Sequence, residues 1–178
     1  MKRAFAILLV AAAGCNPQPA RTAAPAPAAS ASASAPALTI TGRGTRSQPV
    51  RMSAQNGNRK TYQLVAKSYT AHSAQNATQT NVALPTVTFY AKDGTKMTAT
   101  APRAAVQSGK EIVLSGGVHA TTSTGLTLTC DELTFDQRTE MLQGERNVRI
   151  TGMQGGAQQL LTGNHFTSNV KLTNMVIR

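Results

Sequence analysis

Three columns of residues recur along the chain at one spacing. Gly94, Gly125 and Gly156 stand 31 residues apart, Val87, Val118 and Val148 keep 31 and 30, and Ala104, Phe135 and Phe166 keep 31 again. Three columns in one register over three copies define a repeated unit, and a unit this short must cover its apolar side with its neighbour. Apolar and polar residues alternate in Thr86-Val87-Thr88-Phe89, Leu126-Thr127-Leu128-Thr129-Cys130 and Asn147-Val148-Arg149-Ile150-Thr151. A period of two puts one side of a strand in the core, and Thr and Val suit a pleated surface. Turn pairs separate the runs at Asp93-Gly94, Ser108-Gly109, Gly116-Gly117, Thr124-Gly125, Gly155-Gly156 and Gly163-Asn164. Together they predict an all-β fold of short antiparallel strands stacked as hairpin layers.

Composition agrees with this reading. Charged residues are 14% of the chain, aromatics 4%, and there is no Trp. Helical bundles and coiled coils want more Glu, Lys and Leu than this chain holds. Following the alternation, one inner face carries Val87, Phe89, Met97, Ala99, Ile112, Leu114, Val118, Ala120, Leu126, Leu128, Leu133, Phe135, Val148, Ile150 and Phe166. A face so aliphatic and poor in large rings either fills a core or lines a groove, and the residues alone leave both open. Cys130 alternates with Leu126 and Leu128 and reads as a small buried hydrophobe.

The N-terminus reads as an export signal over residues 1–14. Lys2 and Arg3 precede a short apolar stretch, Ala4 to Ala13, that is too short to span a bilayer. The ending Ala12-Ala13-Gly14-Cys15 resembles a bacterial lipobox, with Ala12 where Leu is usual. Cleavage before Cys15 would leave that thiol to carry the lipid, and two or more acyl chains anchor a protein without a spanning helix. Residues 15–37 then form a linker: Pro17, Pro19, Pro25, Pro27 and Pro36 stand among Ala and Ser. Such a segment cannot bury enough to fold, and it reaches about 70 Å when stretched. The β-domain is expected over residues 38–178.

Lys and Arg total 18 against 7 acids, a net charge of +11, and all seven acids lie between Asp93 and Glu145. Loss of Lys2 and Arg3 with the signal lowers the charge to +9. A basic chain seeks polyanions: nucleic acid, anionic lipid or phosphorylated glycolipid. Nucleic acid is set aside, because the basic face lacks interleaved aromatics and an exported protein does not meet it. Arg103, Lys110, Arg138, Arg146 and Arg149 are the candidate phosphate contacts on a rim.

No enzyme is expected, and no cofactor or metal. His72, His119 and His165 have no His or Cys at ligand spacing. No Gly-rich phosphate loop opens a helix, and no Ser sits in a nucleophile elbow. Asp131 and Glu132 read as a strand end, and Asp136 as a turn after Phe135.

A family resemblance rests on the order of these motifs. Leu114-Ser115-Gly116-Gly117-Val118-His119-Ala120 leads to Gly125-Leu126-Thr127-Leu128-Thr129-Cys130-Asp131-Glu132-Leu133-Thr134-Phe135-Asp136. The run resembles the repeat of the OstA-like proteins of lipopolysaccharide transport, and Leu142-Gln143-Gly144 to Val148-Arg149-Ile150 opens the next copy. Leu84 to Tyr90 with Asp93-Gly94, and Thr162 to Phe166 followed by Val170 to Val176, resemble the early and closing strands of the LptC-type periplasmic component. That family usually carries a transmembrane helix where this chain has a lipoprotein-like signal. The resemblance covers roughly residues 60–178. It implies an open antiparallel β-jelly-roll, a β-taco, with an apolar groove that carries acyl chains and ends that join other such domains. It further implies a carrier of lipopolysaccharide that accepts its load from an inner-membrane ABC transporter and passes it to a periplasmic LptA-like bridge. The other reading is a structural envelope lipoprotein with a closed core and no lipid ligand. A lipidated Cys15 is expected to hold the chain at the inner membrane, while the outer stays open, since Asn16 stands where enteric bacteria use Asp for inner-membrane retention.

Residues 170–177 read as a terminal strand with a free edge, which invites strand addition. Val170, Leu172, Asn174 and Val176 are the candidate docking residues for the bridge protein. The edge near residues 60–70 would face the transporter.

Overall fold

A computed structural model describes residues 38–74, 77–154 and 156–178. The signal over residues 1–14, the anchor at Cys15 and the linker over 15–37 lie outside these residues. The strands are β1 (Leu38–Arg43), β2 (Val50–Asn56), β3 (Arg59–Ala66), β4 (Ser68–Ala74), β5 (Ala77–Ala83), β6 (Thr86–Tyr90), β7 (Lys96–Thr100), β8 (Arg103–Gln107), β9 (Glu111–Thr122), β10 (Thr127–Asp136), β11 (Met141–Gln154), β12 (Ala157–Asn169) and β13 (Val176–Ile177). They form one antiparallel sheet that is not closed into a barrel.

Strand pairing shows how this sheet is folded. β9 pairs with β8 through residues 111–115 and with β7 through residues 119–122. β8 continues to β5, β4 and β1, whereas β7 continues to β6, β3 and β2. Thus β1 and β2, β3 and β4, β5 and β6, and β7 and β8 are each two halves of one long strand interrupted at a corner. β9 to β12 run through their corners unbroken. Eight long strands meander side by side, and the whole sheet is creased lengthwise into two facing walls. The first wall holds β1, β4, β5, β8, the near half of β9, the far half of β10, the near half of β11 and the far half of β12. The second holds the remaining halves. The repeat of 31 residues is therefore two long strands, out and back.

The glycine column confirms this geometry. Gly94, Gly125 and Gly156 all sit in turns at the free margin of the second wall, with φ of 87°, 90° and 83°. Such a φ is open to glycine without steric cost. The valine column falls on the second wall and the Ala104, Phe135, Phe166 column on the first, and all six are buried.

Two of the expected turns prove to be bends within strands. Gly116-Gly117 lies inside β9, with φ of 94° and 95°, and Gly163-Asn164 lies inside β12. A bulge at an inserted residue bends a strand without ending it. The register slips at the same level in β10, between Cys130 and Glu132, and in β11, between Glu145 and Val148. The strands are consequently longer than the expected short ones.

The terminal strand expected over residues 170–177 shortens to β13. Residues 170–175 leave β12 as an irregular strap, and Val170 and Leu172 turn inward and are buried. Asn169 turns the chain here: its side-chain oxygen accepts from the Lys171 and Thr173 N–H groups at 3.1 and 3.3 Å, its carbonyl accepts from the Leu172 N–H at 3.1 Å, and Leu172 has a φ of 56°. β13 then pairs with Phe166 and Thr167 of β12.

Candidate functional site

Between the walls lies one continuous apolar interior. Every one of the fifteen residues expected on the inner face is in it, none more than 2% exposed. Tyr62, Leu64, Ala66, Val82, Ala104, Val106, Leu142, Val170 and Leu172 share the same interior. Tyr62 and Leu64 were not foreseen because Leu64, Val65 and Ala66 are apolar at three successive positions, which hides the period of two, although Val65 is only half-buried. Three rings connect the walls. Phe135 of the first wall packs 4.6 Å from Phe89 and meets Tyr62 edge-on at 6.4 Å, both of the second. Burial raises the Tyr62 hydroxyl pKa and pushes the Cys130 thiol up to about 12. Both groups stay neutral in the interior.

Opposite the crease the walls meet at a mouth, and charge closes it. Arg59 of the second wall pairs with Glu140 of the first, and its second guanidinium nitrogen donates to the Tyr90 carbonyl at 3.0 Å. Lys171, on the strap, donates to Asp93 in the 91–95 turn at 2.9 Å. Asp93 also accepts from the Thr95 N–H at 3.1 Å. The Lys171 bond and then the Thr95 amide lower the Asp93 carboxyl to about 2. A cavity of about 260 Å³ opens here, lined by Ala91, Lys92, Asp93, Thr139, Glu140, Met141, Asn169, Val170 and Lys171. A second, of about 340 Å³, continues on the other side of the Asp93–Lys171 pair to Leu126 and Met153.

The five candidate rim cations are exposed, but the fold scatters them. Arg103 and Arg146 sit at the crease, Lys110 and Arg138 in turns at the margin of the first wall, and Arg149 on the outer face of β11. Arg146 is occupied by Glu132 at 3.4 Å, Asp131 at 3.8 Å and Glu145 at 4.0 Å. The cations that meet at the mouth, Arg59 and Lys171, come from sequence separations of 81 and 78 residues from their partners. A repeat of 31 residues carries no signal for such pairs. Asp136 does hold a turn, accepting from the Thr139 N–H at 2.8 Å, and that bond lowers its pKa.

Among the described residues, the edges that lack a partner strand are those of β1, β2 and β13, and that of β12 over residues 157–162; residues 60–70, expected to form an edge, are paired on both sides, β3 by β2 and β6 and β4 by β1 and β5. Leu38 and Ile40 are exposed on β1, and Leu160 on β12. Of the candidate docking residues, Val170 and Leu172 are interior, Asn174 is exposed on the strap and Val176 lies in β13. Among the described residues no cluster of His, Cys, Asp or Glu is arranged to hold a metal ion, and no helix is long and apolar enough to cross a membrane.

A family model described as "Lipopolysaccharide-assembly, LptC-related" matches residues 7–177. No curated protein matches the chain.

Proposed function

This chain belongs to the LptC-related family of lipopolysaccharide assembly, a family of cell-envelope transport components, and from that premise we propose that it is a lipopolysaccharide carrier. In this reading the acyl chains enter at the mouth and lie between the walls against Val87, Phe89, Leu128, Leu133, Phe135 and Ile150. The observation that carries it is an aliphatic interior whose two walls are covalently continuous at the crease and, among the described residues, held together at the mouth by side chains and the strap. Each buried methylene of an acyl chain is worth about 0.8 kcal/mol, which offsets parting the walls. Cys15 carries the anchor at the inner membrane, and the 15–37 segment tethers the β-domain in the periplasm. The chain accepts its load from an inner-membrane ABC transporter. It passes the load to a periplasmic bridge protein that adds a strand to the free edge of β12, next to the Ile177 end of β13. No chemistry is performed on the ligand.

Burial of the inner face favours a second reading, a structural envelope lipoprotein whose core stays shut. Photocrosslinking in cells separates the two. A photoreactive residue at Phe135 or Leu128 should yield a lipopolysaccharide adduct, and one at outward Thr127 or Thr129 should not. Absence of adduct at both inner positions in a folded, exported protein refutes the carrier.

A further inference from the structure

The ion pairs at the mouth place cations and carboxylates where the headgroup of an amphiphile would sit if its tails lay between the walls. Lys92, Lys171, Asp93 and Glu140 line the 260 Å³ cavity, and Arg59 reaches Glu140 from behind it. Met141 and the buried Val170 line the same cavity, so it joins the charged margin to the apolar interior. Glu140 is the most enclosed of the four paired side chains, at 14% exposure, and Lys171 and Asp93 are open to water at 38% and 49%. The Asp93–Lys171 pair, open to water on both sides, contributes modestly to stability, so its exchange for another anion costs little, and the part-buried Arg59–Glu140 pair follows as the walls part. A phosphate offers more charge and more acceptor oxygens than a carboxylate, and the Arg fork and Lys ammonium both suit it.

We propose, resting on the carrier reading, that Arg59 and Lys171 form a phosphate-headgroup site and that Glu140 and Asp93 occupy it as internal stand-ins when no ligand is bound. A phosphorylated amphiphile exchanges with both carboxylates as its tails part the walls. The ligand's own charge thereby undoes the latch that keeps the interior shut. A neutral amphiphile with the same tail has nothing to exchange and must break the pairs without replacement.

The test is isothermal titration of the full-length chain with dodecyl phosphate and dodecyl maltoside, both below their micelle concentrations. Wild type should favour the phosphate. Asp93→Asn with Glu140→Gln frees the cations and should tighten dodecyl phosphate by about tenfold, the worth of one charge-assisted hydrogen bond, with dodecyl maltoside unchanged. Arg59→Gln with Lys171→Gln should abolish the preference. If the double carboxamide variant does not fold, Asp93→Asn alone, in an exposed turn, carries the same comparison. An equal gain for both probes would make the pairs a mechanical latch and overturn the headgroup site. Capture of both probes with no change in their ratio in any variant would overturn it too, and leave the carrier reading standing. Capture of neither probe by wild type would remove both.

Discussion

Replacing Gly144 by alanine should destabilise this protein, against the usual sign. In a strand interior an alanine normally improves on glycine by about 0.5–1 kcal/mol, because the chain loses less freedom on folding. Gly144 is paired across strands with Phe166, and a Cβ added at 144 would run into the Phe166 ring. That ring is fully buried and has no room to swing away. Overpacking of this kind costs about 1–3 kcal/mol. For a domain of this size a loss of about 2 kcal/mol lowers Tm by roughly 4–8 °C. Phe166→Leu shortens the obstructing side chain and should cost about 1.5 kcal/mol by itself. With both changes the alanine methyl has space, so the double variant should be about as stable as Phe166→Leu alone. Urea unfolding followed by circular dichroism gives the four stabilities of the cycle, provided the slopes agree. Additive losses, or a Gly144→Ala variant more stable than wild type, would refute the steric account.

Three further outcomes follow from buried or paired groups. Asp93 has a folded pKa of about 2, below its unfolded value of 3.8. Its pairing therefore stabilises the fold at neutral pH, and that stability is lost as pH falls through about 4 toward 2. The Tm gap between wild type and Asp93→Asn should close over that window, and a gap that persists at pH 2 would assign the effect elsewhere. Cys130, buried with its thiol pushed up to about 12, should resist iodoacetamide at pH 8 in a Cys15→Ser chain until denaturant is added. Modification at a free-thiol rate would show that the second wall opens there. Ser168 has a fully buried hydroxyl with no hydrogen-bond partner among the described residues. Ser168→Ala should raise stability by about 1 kcal/mol in thermal unfolding, and a loss of that size would reveal a partner.

The inner face was legible because alternation leaves little freedom. Once Leu126, Leu128 and Cys130 point one way, neighbouring strands must turn their apolar sides to meet them, and all fifteen expected residues are interior. The glycine column was legible because each of its members holds the same left-handed turn. The crease was not. Each strand bends by different means: Leu84 and Pro85, Pro102, Gly116 and Gly117, a slip near Asp131, or Arg146 and Asn147 at φ of 59° and 52°. With no shared residue at the bend there is no column to read, so bends and turns look alike and long strands read as short ones. The mouth was hidden for a different reason. Its ion pairs join residues brought together only by the folding-over, and the polar turns that carry Asp93 and Glu140 are indistinguishable from solvated ones in sequence.

Folding a meander lengthwise separates two dimensions of the molecule that most sheets couple. Strands run across the roll, so its bore is set by how many residues each strand spends on either side of the bend. Hydrogen bonds run along it, so its length is set by how many strands there are. Each unit of 31 residues adds two strands, about 9.6 Å of length, and leaves the bore unchanged. If the proposed carrier joined a like roll edge to edge, the two would share one gauge, and an alkyl chain held between the walls would meet no change in width at the joint.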